Sequence, residues 1–113
     1  MSQSAPRLHS YHINFALLTV DPPKLATKPV NQTLKEDSLV EFHCSAIGNP
    51  LPEITWIKDG QTMKKGDTLS FTVNRNQYGQ YWCSADNGFN AVDNASAYLD
   101  VLCKYHGYVS FST

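Results

Sequence analysis

The sequence predicts an all-β domain built as a two-layer antiparallel sandwich, and two observations carry this prediction. Apolar residues alternate with polar residues in several short runs, and Gly, Pro, Asn and Asp residues that favour turns separate those runs. Alternation with a period of two places one face of a strand in a core and the other in water. Helical periodicity is nearly absent, and Pro or Gly interrupts most windows long enough for a helix. Short strands with frequent turns are typical of β-sandwiches.

Four runs show this alternation most clearly. The residues predicted to face the core are Val40, Phe42, Cys44 and Ala46; Leu69, Phe71 and Val73; Tyr81, Cys83 and Ala85; and Ala97, Leu99 and Val101. Turn signals lie between the runs. Residues 48–52 contain Gly and two Pro residues, and Asp59-Gly60 predicts a tight hairpin turn. Further turns are predicted at residues 77–79 and 87–88, on either side of the third run.

Length and charge exclude several classes of protein. A chain of 113 residues allows one domain with a modest core. The net charge is −1 and no Lys/Arg run exceeds two residues, which argues against nucleic-acid binding and polybasic membrane docking. No apolar run approaches the roughly 20 residues that span a bilayer. Residues 13–20 are too short and too polar to predict a convincing signal peptide.

No catalytic or metal-binding pattern is found in the sequence. The cysteines form no CxxC pair, and neither a G-x-S-x-G elbow nor a Gly-rich phosphate loop occurs. The four histidines are scattered without a convergent carboxylate or nucleophile and are expected to be ordinary surface residues; they are His9, His12, His43 and His106. The sequence therefore predicts a protein that is not an enzyme and that has no metal, cofactor or small-molecule substrate.

One constellation of residues is more specific than the general pattern. Cys44, Trp56 and Cys83 follow one another, and Tyr81 stands two residues before the second cysteine. The flanking motifs are Gly48-x-Pro50-x-Pro52-x-Ile54-x-Trp56-x-Lys58-Asp59-Gly60 and Gly79-x-Tyr81-x-Cys83-x-Ala85-x-Asn87. At these offsets the chain resembles the immunoglobulin superfamily, and its I-set and C2-type domains in particular. The resemblance covers about residues 22–102.

This resemblance implies a specific architecture. In an immunoglobulin-like two-sheet antiparallel sandwich, a Cys44–Cys83 disulfide joins the sheets and Trp56 packs on it. Tyr81 is the expected tyrosine corner, and Gly79 suits the tight turn that enters its strand. A disulfide that closes a loop of about 40 residues could stabilise the domain by roughly 4 kcal/mol on the chain-entropy model.

The chain departs from the family pattern at two points. Family members usually carry Asp where this chain has Gln77, so the usual carboxylate is missing from this corner. The stretch between Trp56 and Cys83 is also short. We therefore expect a reduced I or C2 type in which strand D is short or absent.

The resemblance divides the chain into three parts. Residues 22–102 are predicted to form the immunoglobulin-like domain. Residues 1–21 form an N-terminal arm. Because residues 12–23 resemble residues 94–102, the arm either includes the last strand of a preceding repeat or is an ordinary extension. Residues 103–113 are expected to be a C-terminal tail, with Cys103 as a free thiol or as one half of an intermolecular disulfide.

Two further features favour an extracellular role. Asn31 and Asn94 begin N-glycosylation sequons, which require an exported protein. On the outward sheet face, Ile57, Trp82 and Tyr98 stand where polar residues are usual, so they form a candidate protein-contact surface. The alternative is that Trp82 covers Lys or Arg side chains, or packs on the N-terminal strand.

The predicted function is protein recognition outside the cell, in an adhesion protein or a receptor ectodomain. The partner is a protein, bound homophilically or heterophilically, and the chain is part of a longer or secreted protein. One alternative is a structural spacer in a tandem array without a ligand of its own. Another is an intracellular repeat of the muscle-filament kind, although reducing cytosol would leave the predicted disulfide unmade.

Overall fold

The computed structural model describes residues 19–89, 91–104 and 108–110, and it confirms an all-β sandwich. Within these residues a short 3-10 helix, Arg75–Gln77, interrupts ten strands. The strands are β1 Asp21–Thr27, β2 Gln32–Lys35, β3 Leu39–His43, β4 Ser45–Asn49, β5 Glu53–Lys58, β6 Gln61–Lys65, β7 Thr68–Thr72, β8 Gly79–Asp86, β9 Val92–Lys104 and β10 Tyr108–Ser110.

The strands form two layers. In one layer, β1 pairs with β4 and β3 pairs with β7, all antiparallel, and only Cys44 separates β3 from β4. The other layer has the order β10-β9-β8-β5-β6, and β2 pairs with β9 in parallel. The start of the domain is therefore divided between the layers. Pro29 lies between β1 and β2, and because Pro lacks an N–H donor it favours an interruption of strand pairing there.

The β5–β6 hairpin confirms the turn predicted at Asp59-Gly60. Both residues have positive φ, 53° for Asp59 and 77° for Gly60, which is the requirement of a type I′ turn. Beyond β6, only Gly66 and Asp67 lead to β7 in the other layer. The part of the chain that the structure describes therefore has no strand D, as the short spacing predicted.

The core lies between the layers and contains the residues that the alternation placed there. Val40, Phe42, Leu69 and Val73 of one layer meet residues of β5, β8 and β9, while Ala46 and Phe71 are partly buried against them. The buried residues contributed by β5, β8 and β9 are Ile54, Trp56, Tyr81, Cys83, Ala85, Ala97, Leu99, Val101 and Cys103.

The predicted Cys44–Cys83 disulfide is present and joins the two layers. Trp56 is fully buried and is the register partner of Cys83 on the neighbouring strand. Its indole N–H donates to the carbonyl of Gly66 at 2.9 Å, so the one polar atom of the ring has a partner. The centroid of the Phe42 ring lies 6.1 Å from that of Trp56 and 5.3 Å from that of Tyr81, so the three buried rings pack together in the core.

The tyrosine corner forms, and Gln77, which stands where the family usually has Asp, caps the turn before it. The Tyr81 hydroxyl donates to the backbone carbonyl of Gln77 at 2.5 Å. The Gln77 side-chain oxygen accepts from the backbone N–H of Asn74 at 2.7 Å, and the Asn74 side chain accepts from the N–H of Asn76 at 3.0 Å. This reciprocal capping box starts the 3-10 helix, so a neutral amide is sufficient to order the corner.

Gly79 enters β8 with φ of 133°, a conformation that L side chains rarely adopt. A Cβ atom at this position would also lie 3.2 Å from Cε of Lys58. The Lys58 ammonium group in turn lies 5.4 Å from the centroid of the Tyr81 ring. Gly79 therefore permits both the turn and the close approach of a lysine side chain.

The last strand is longer than the predicted domain. It continues to Lys104, where β10 pairs with it, and Cys103 is buried within it. Cys103 is thus a free thiol in a strand of the sandwich, and not a residue of a frayed tail. The predicted arm up to residue 18, including the possible signal segment, and His9, His12 and His106 lie outside the described residues.

We expect removal of the bridge by the Cys44→Ala/Cys83→Ala double substitution to lower the free energy of unfolding by about 4 kcal/mol. The bond closes a loop with a sequence separation of 39, so its loss frees the unfolded chain. Urea titration measures the change. Cys103→Ala is the control, because it removes a buried thiol without removing a crosslink. Equal losses in the two proteins would contradict the assignment.

Tyr81→Phe should lower the free energy of unfolding by about 1 to 2 kcal/mol, because it leaves the carbonyl of Gln77 without its donor. Tyr78→Phe is the matched control: Tyr78 is exposed, and its loss of a hydroxyl should change the free energy by less than about 0.5 kcal/mol. Both values come from urea unfolding at neutral pH. A Tyr81 variant as stable as the control would show that the corner hydrogen bond has no net effect.

Stability should fall at alkaline pH through Tyr81. Burial, followed by the negative charge of Asp59, raises the pKa of Tyr81 to about 12. Because the ordinary pKa of Tyr is about 10, this contribution is complete below pH 10 and is lost as the pH rises through 12. Unfolding free energies measured across this range should fall less steeply for Tyr81→Phe than for the native chain. Parallel curves would contradict this.

Candidate protein-contact surface

The outward face of the β5–β8–β9 sheet brings the predicted contact residues together. Inward residues such as Trp56 and Cys83 alternate with outward ones, so Ile57 and Trp82 both point away from the core. We call this surface the Trp82 face; its outward residues are Thr55, Ile57, Gln80, Trp82, Ser84, Asn94, Ser96 and Tyr98.

Register fixes how these side chains are arranged. Trp82 lies directly opposite Ile57 on one side and Ser96 on the other. Tyr98 is opposite Gln80 and therefore lies diagonally from Trp82. Directly opposed side chains in antiparallel pairs have Cβ atoms roughly 5 Å apart, and diagonal neighbours about 7 to 8 Å. Ile57, Trp82 and Tyr98 consequently form one apolar group.

Exposure within this group is uneven. The Trp82 side chain is 42% exposed, whereas Ile57 and Tyr98 are half-buried. Trp82 is therefore the most exposed residue of the group, and the half-buried Ile57 and Tyr98 lie beside it. A large aromatic side chain held in this way can bury much of its remaining surface against a partner at little conformational cost.

Polar groups surround the apolar group. The Gln80 side-chain amide donates to the Ser96 hydroxyl at 2.7 Å, which orders the surface between Trp82 and Tyr98. At the edge, Lys65 and Glu53 form an exposed ion pair at 3.3 Å. An apolar centre with a polar rim is the usual anatomy of a protein–protein contact.

Both predicted sequons border this face, an arrangement that the sequence reasoning did not foresee. Asn94 is exposed, lies opposite Ser84 and points from the same side of the sheet as Trp82. Asn31 is exposed at the edge, where its side-chain oxygen accepts from the backbone N–H of Tyr98 at 2.8 Å. The alternation along β9 predicts that Asn94 faces outward, because Leu99 faces inward. It does not predict which residues of the neighbouring strands lie beside Asn94.

Cys103 belongs to a separate cluster away from this face. Its thiol donates to a carboxylate oxygen of Glu36 at 2.9 Å, and Glu36 pairs with Arg75 at 3.1 Å. The hydrogen bond to Glu36, together with burial, raises the pKa of the Cys103 thiol. Hydrogen bonds from Cys103 and Arg75 lower the pKa of Glu36. The buried thiol is therefore protonated and a poor nucleophile.

The remaining chemistry-bearing residues do not converge. His43 is exposed, and its ring nitrogen lies 3.3 Å from the Thr68 hydroxyl. Over residues 19–89, 91–104 and 108–110, no group of three or more His, Cys, Asp or Glu side chains could hold a metal ion. In the same part of the chain, no helix is sufficiently long and apolar to cross a bilayer.

Comparison with known proteins gives the same assignment as the geometry. The immunoglobulin domain family profile matches residues 22–87. Human Roundabout homolog 2 is 33% identical over 95 residues, which cover 76% of this chain but 7% of that protein. The chain thus spans less than a tenth of this relative.

Solved structures share the fold. In the complex of Dpr2 Ig1-Ig2 with DIP-Theta Ig1-Ig3, the match has a TM-score of 0.67 at 29% identity and covers 74% of this chain and 33% of that one. Extracellular domains 3-5 of Drosophila OTK match with a TM-score of 0.67 at 28% identity, covering 73% and 32%. A titin M10 complex with obscurin-like 1 matches at 0.69 and 23% identity, covering 77% and 99%, and shows the fold alone.

The family profile spans more than half of the chain, and the structure contains the bridge, the buried tryptophan and the tyrosine corner at the expected positions. The chain belongs to the immunoglobulin domain family.

Proposed function

We propose that this domain is a non-catalytic, extracellular recognition module whose Trp82 face binds another immunoglobulin domain, and specifically a second copy of itself. The observation that carries the proposal is the exposed indole of Trp82, which lies opposite Ile57 inside a polar rim. Outward sheet positions in a monomeric sandwich usually hold polar residues, and an exposed aromatic residue grouped with other apolar residues inside a polar rim is typical of a protein contact site.

Energetics supports Trp82 as the anchor of such a contact. Interface hot spots are enriched in Trp and lie near the centre of a contact, where surrounding residues exclude water. Trp82 lies on β8, between β5 and β9, and so occupies the middle of the sheet face. Burying the rest of the indole would remove apolar area from water without first ordering a flexible chain segment.

The form of the face supports a second copy as partner. An outward sheet surface with a central apolar group can meet the same surface about a two-fold axis, so that both copies bury the same residues. Immunoglobulin domains do form complexes with one another, as the Dpr2 complex with DIP-Theta shows for those proteins. Our proposal carries this mode of contact over to the Trp82 face.

The disulfide supports placement outside the cell. A bond between Cys44 and Cys83 persists in oxidising compartments and is rare in reducing cytosol. The OTK structure consists of extracellular domains, and the two sequons of this chain are useful only in an exported protein.

A second candidate function is that of a spacer in a tandem array, and an apolar end surface favours it. The β4–β5 and β8–β9 connections lie at the same end of the sandwich as the start of β1, where Asp21 pairs with Asn49. The large apolar residues exposed at this end are Val20, Leu51, Phe89 and Val92. A preceding domain would cover them, and this contact would need no partner at the Trp82 face.

We expect the unglycosylated chain, with its disulfide formed, to self-associate. The Trp82→Ser variant should self-associate at least about 30-fold more weakly, because a hot-spot residue contributes about 2 kcal/mol or more to the binding free energy. Sedimentation equilibrium over a concentration series measures both dissociation constants. Leu51→Ser is the control, since this residue is exposed at the end surface and should leave self-association unchanged.

Two results would count against the proposal. If the unglycosylated chain without substitutions remained monomeric throughout the series, recognition of a second copy would be excluded and the spacer function favoured. If Leu51→Ser weakened association as strongly as Trp82→Ser, the contact would lie at the end surface instead of the Trp82 face.

A further inference from the structure

We infer that Asn94 carries an N-linked glycan whose first sugar packs on Trp82, so that glycosylation of this one residue closes the Trp82 face to a protein partner. The occupancy of Asn94 and the packing of the sugar on Trp82 are inferred from the geometry alone. That the sugar blocks binding at this face rests on the proposed function. The sheet register that places Asn94 beside Trp82 connects the two parts.

The modification itself requires a sequon and an exposed asparagine. Asn94, Ala95 and Ser96 supply the sequon, and Asn94 is exposed in the folded domain. In the reaction, Nδ2 of Asn94 bonds to C1 of a lipid-pyrophosphate-linked oligosaccharide. The bond from C1 to the pyrophosphate oxygen breaks, the lipid pyrophosphate leaves, and the amide gives up one proton. The lipid-linked oligosaccharide is the co-reactant, and an oligosaccharyltransferase of the secretory pathway catalyses its transfer.

The surroundings of Asn94 leave room for a sugar. Across β8 its register partner is Ser84, a small side chain. On the other side of β9, pairing with β2 begins only at Leu99, and β1 approaches the start of β9 through the hydrogen bond from the Leu25 N–H to the Asp93 carboxylate at 2.9 Å. Ala95 alternates to the opposite side of the strand and is partly buried against the core. Asn94 is exposed and points to the side of the sheet opposite Ala95, so a glycan can leave the strand in the outward direction.

Among the register neighbours of Asn94 on that face, Trp82 is the aromatic one. It lies opposite Ser96, two residues along β9 from Asn94, and so is a diagonal neighbour at about 7 to 8 Å between Cβ atoms. One face of a pyranose ring consists of C–H groups, which pack favourably on the electron-rich face of an indole. Because 42% of Trp82 is exposed, the first N-acetylglucosamine has a surface to cover.

One polar contact holds the sequon serine on the same face as Trp82. The Ser96 hydroxyl, which the sequon requires, accepts from Gln80 at 2.7 Å and is thereby held on the same face. Asn31, by contrast, stands at the sheet edge with its side-chain oxygen bonded to the backbone of Tyr98. A glycan on Asn31 would leave from the edge and would not lie on Trp82.

A glycan on Asn94 and a second copy of the domain therefore cannot occupy the Trp82 face at the same time. A sugar on Asn94 would occupy the area that a second copy must bury around Trp82, and a branched glycan is too bulky to be enclosed in such a contact. The modified domain would then present a hydrophilic face, while the unmodified domain would present the indole.

The test uses the full chain secreted from cultured cells, together with the Asn94→Gln, Asn31→Gln and Ser96→Thr variants. Mass spectrometry of peptides after trimming each glycan to one sugar gives the occupancy of both sequons. Acrylamide quenching of tryptophan fluorescence, measured on dilute monomer, reports Trp82, because the only other tryptophan, Trp56, is fully buried.

We expect Asn94 to be occupied, and Asn94→Gln to raise the acrylamide quenching constant about two-fold, because the sugar no longer covers Trp82, the tryptophan that acrylamide can reach. Asn31→Gln and Ser96→Thr should leave quenching unchanged, because both retain the sequon at Asn94. Circular dichroism verifies that each variant is folded, and Ser96→Ala provides a second way to remove the glycan. An unoccupied Asn94, or an occupied one whose removal leaves quenching unchanged, overturns the inference.

Sedimentation of the same proteins separates this inference from the proposed function. We expect the secreted native chain to be monomeric and Asn94→Gln to self-associate. If quenching responds to Asn94→Gln but no self-association follows, the sugar contact stands and the recognition function fails. If Asn94→Gln leaves quenching unchanged while the chain self-associates with its glycan attached, recognition stands and the glycan inference fails.

Discussion

The structure of this domain depends on the connection between its two layers at Cys44 and Cys83. One cysteine lies between β3 and β4 and the other lies in β8, so the bond joins the centres of both sheets. Trp56 is paired with Cys83 on the adjacent strand and fills the space next to the bond with its indole. A domain of this size buries a modest core, and a crosslink at its centre compensates by restricting the unfolded chain.

This central connection also determines what the outer surface can be. With Trp56 and Cys83 fixed inward, the residues beside them must face outward, because neighbouring side chains on a strand point to opposite sides. Ile57 and Trp82 are therefore directed to solvent by the same register that buries the bridge. The register that buries the core residues therefore also determines which residues form the candidate contact surface. Because this surface lies on strands and not on loops, its side chains keep a fixed arrangement.

Hydrogen bonds made by neutral side chains order both the tyrosine corner and the Trp82 face. Gln77 orders the tyrosine corner with an amide oxygen, and Gln80 orders the Trp82 face through Ser96. Such hydrogen bonds are insensitive to salt and to physiological pH, whereas an exposed ion pair such as Lys65–Glu53 contributes little. The one buried thiol, Cys103, is likewise kept protonated by Glu36.

The sequence by itself determined the fold. The spacing of Cys44, Trp56 and Cys83, with alternation on both sides, specified which residues face inward, because strand geometry leaves only two sides for a side chain. It also determined the Asp59-Gly60 hairpin, since few residue pairs adopt two consecutive positive φ values.

Only the tertiary structure decided which outward residues become neighbours, because strand pairing brings together positions that are distant in the sequence. It placed Asn94 beside Trp82 and buried Cys103 against Glu36, which is 67 positions away. Local patterns carry no information about such contacts until the register between strands is fixed.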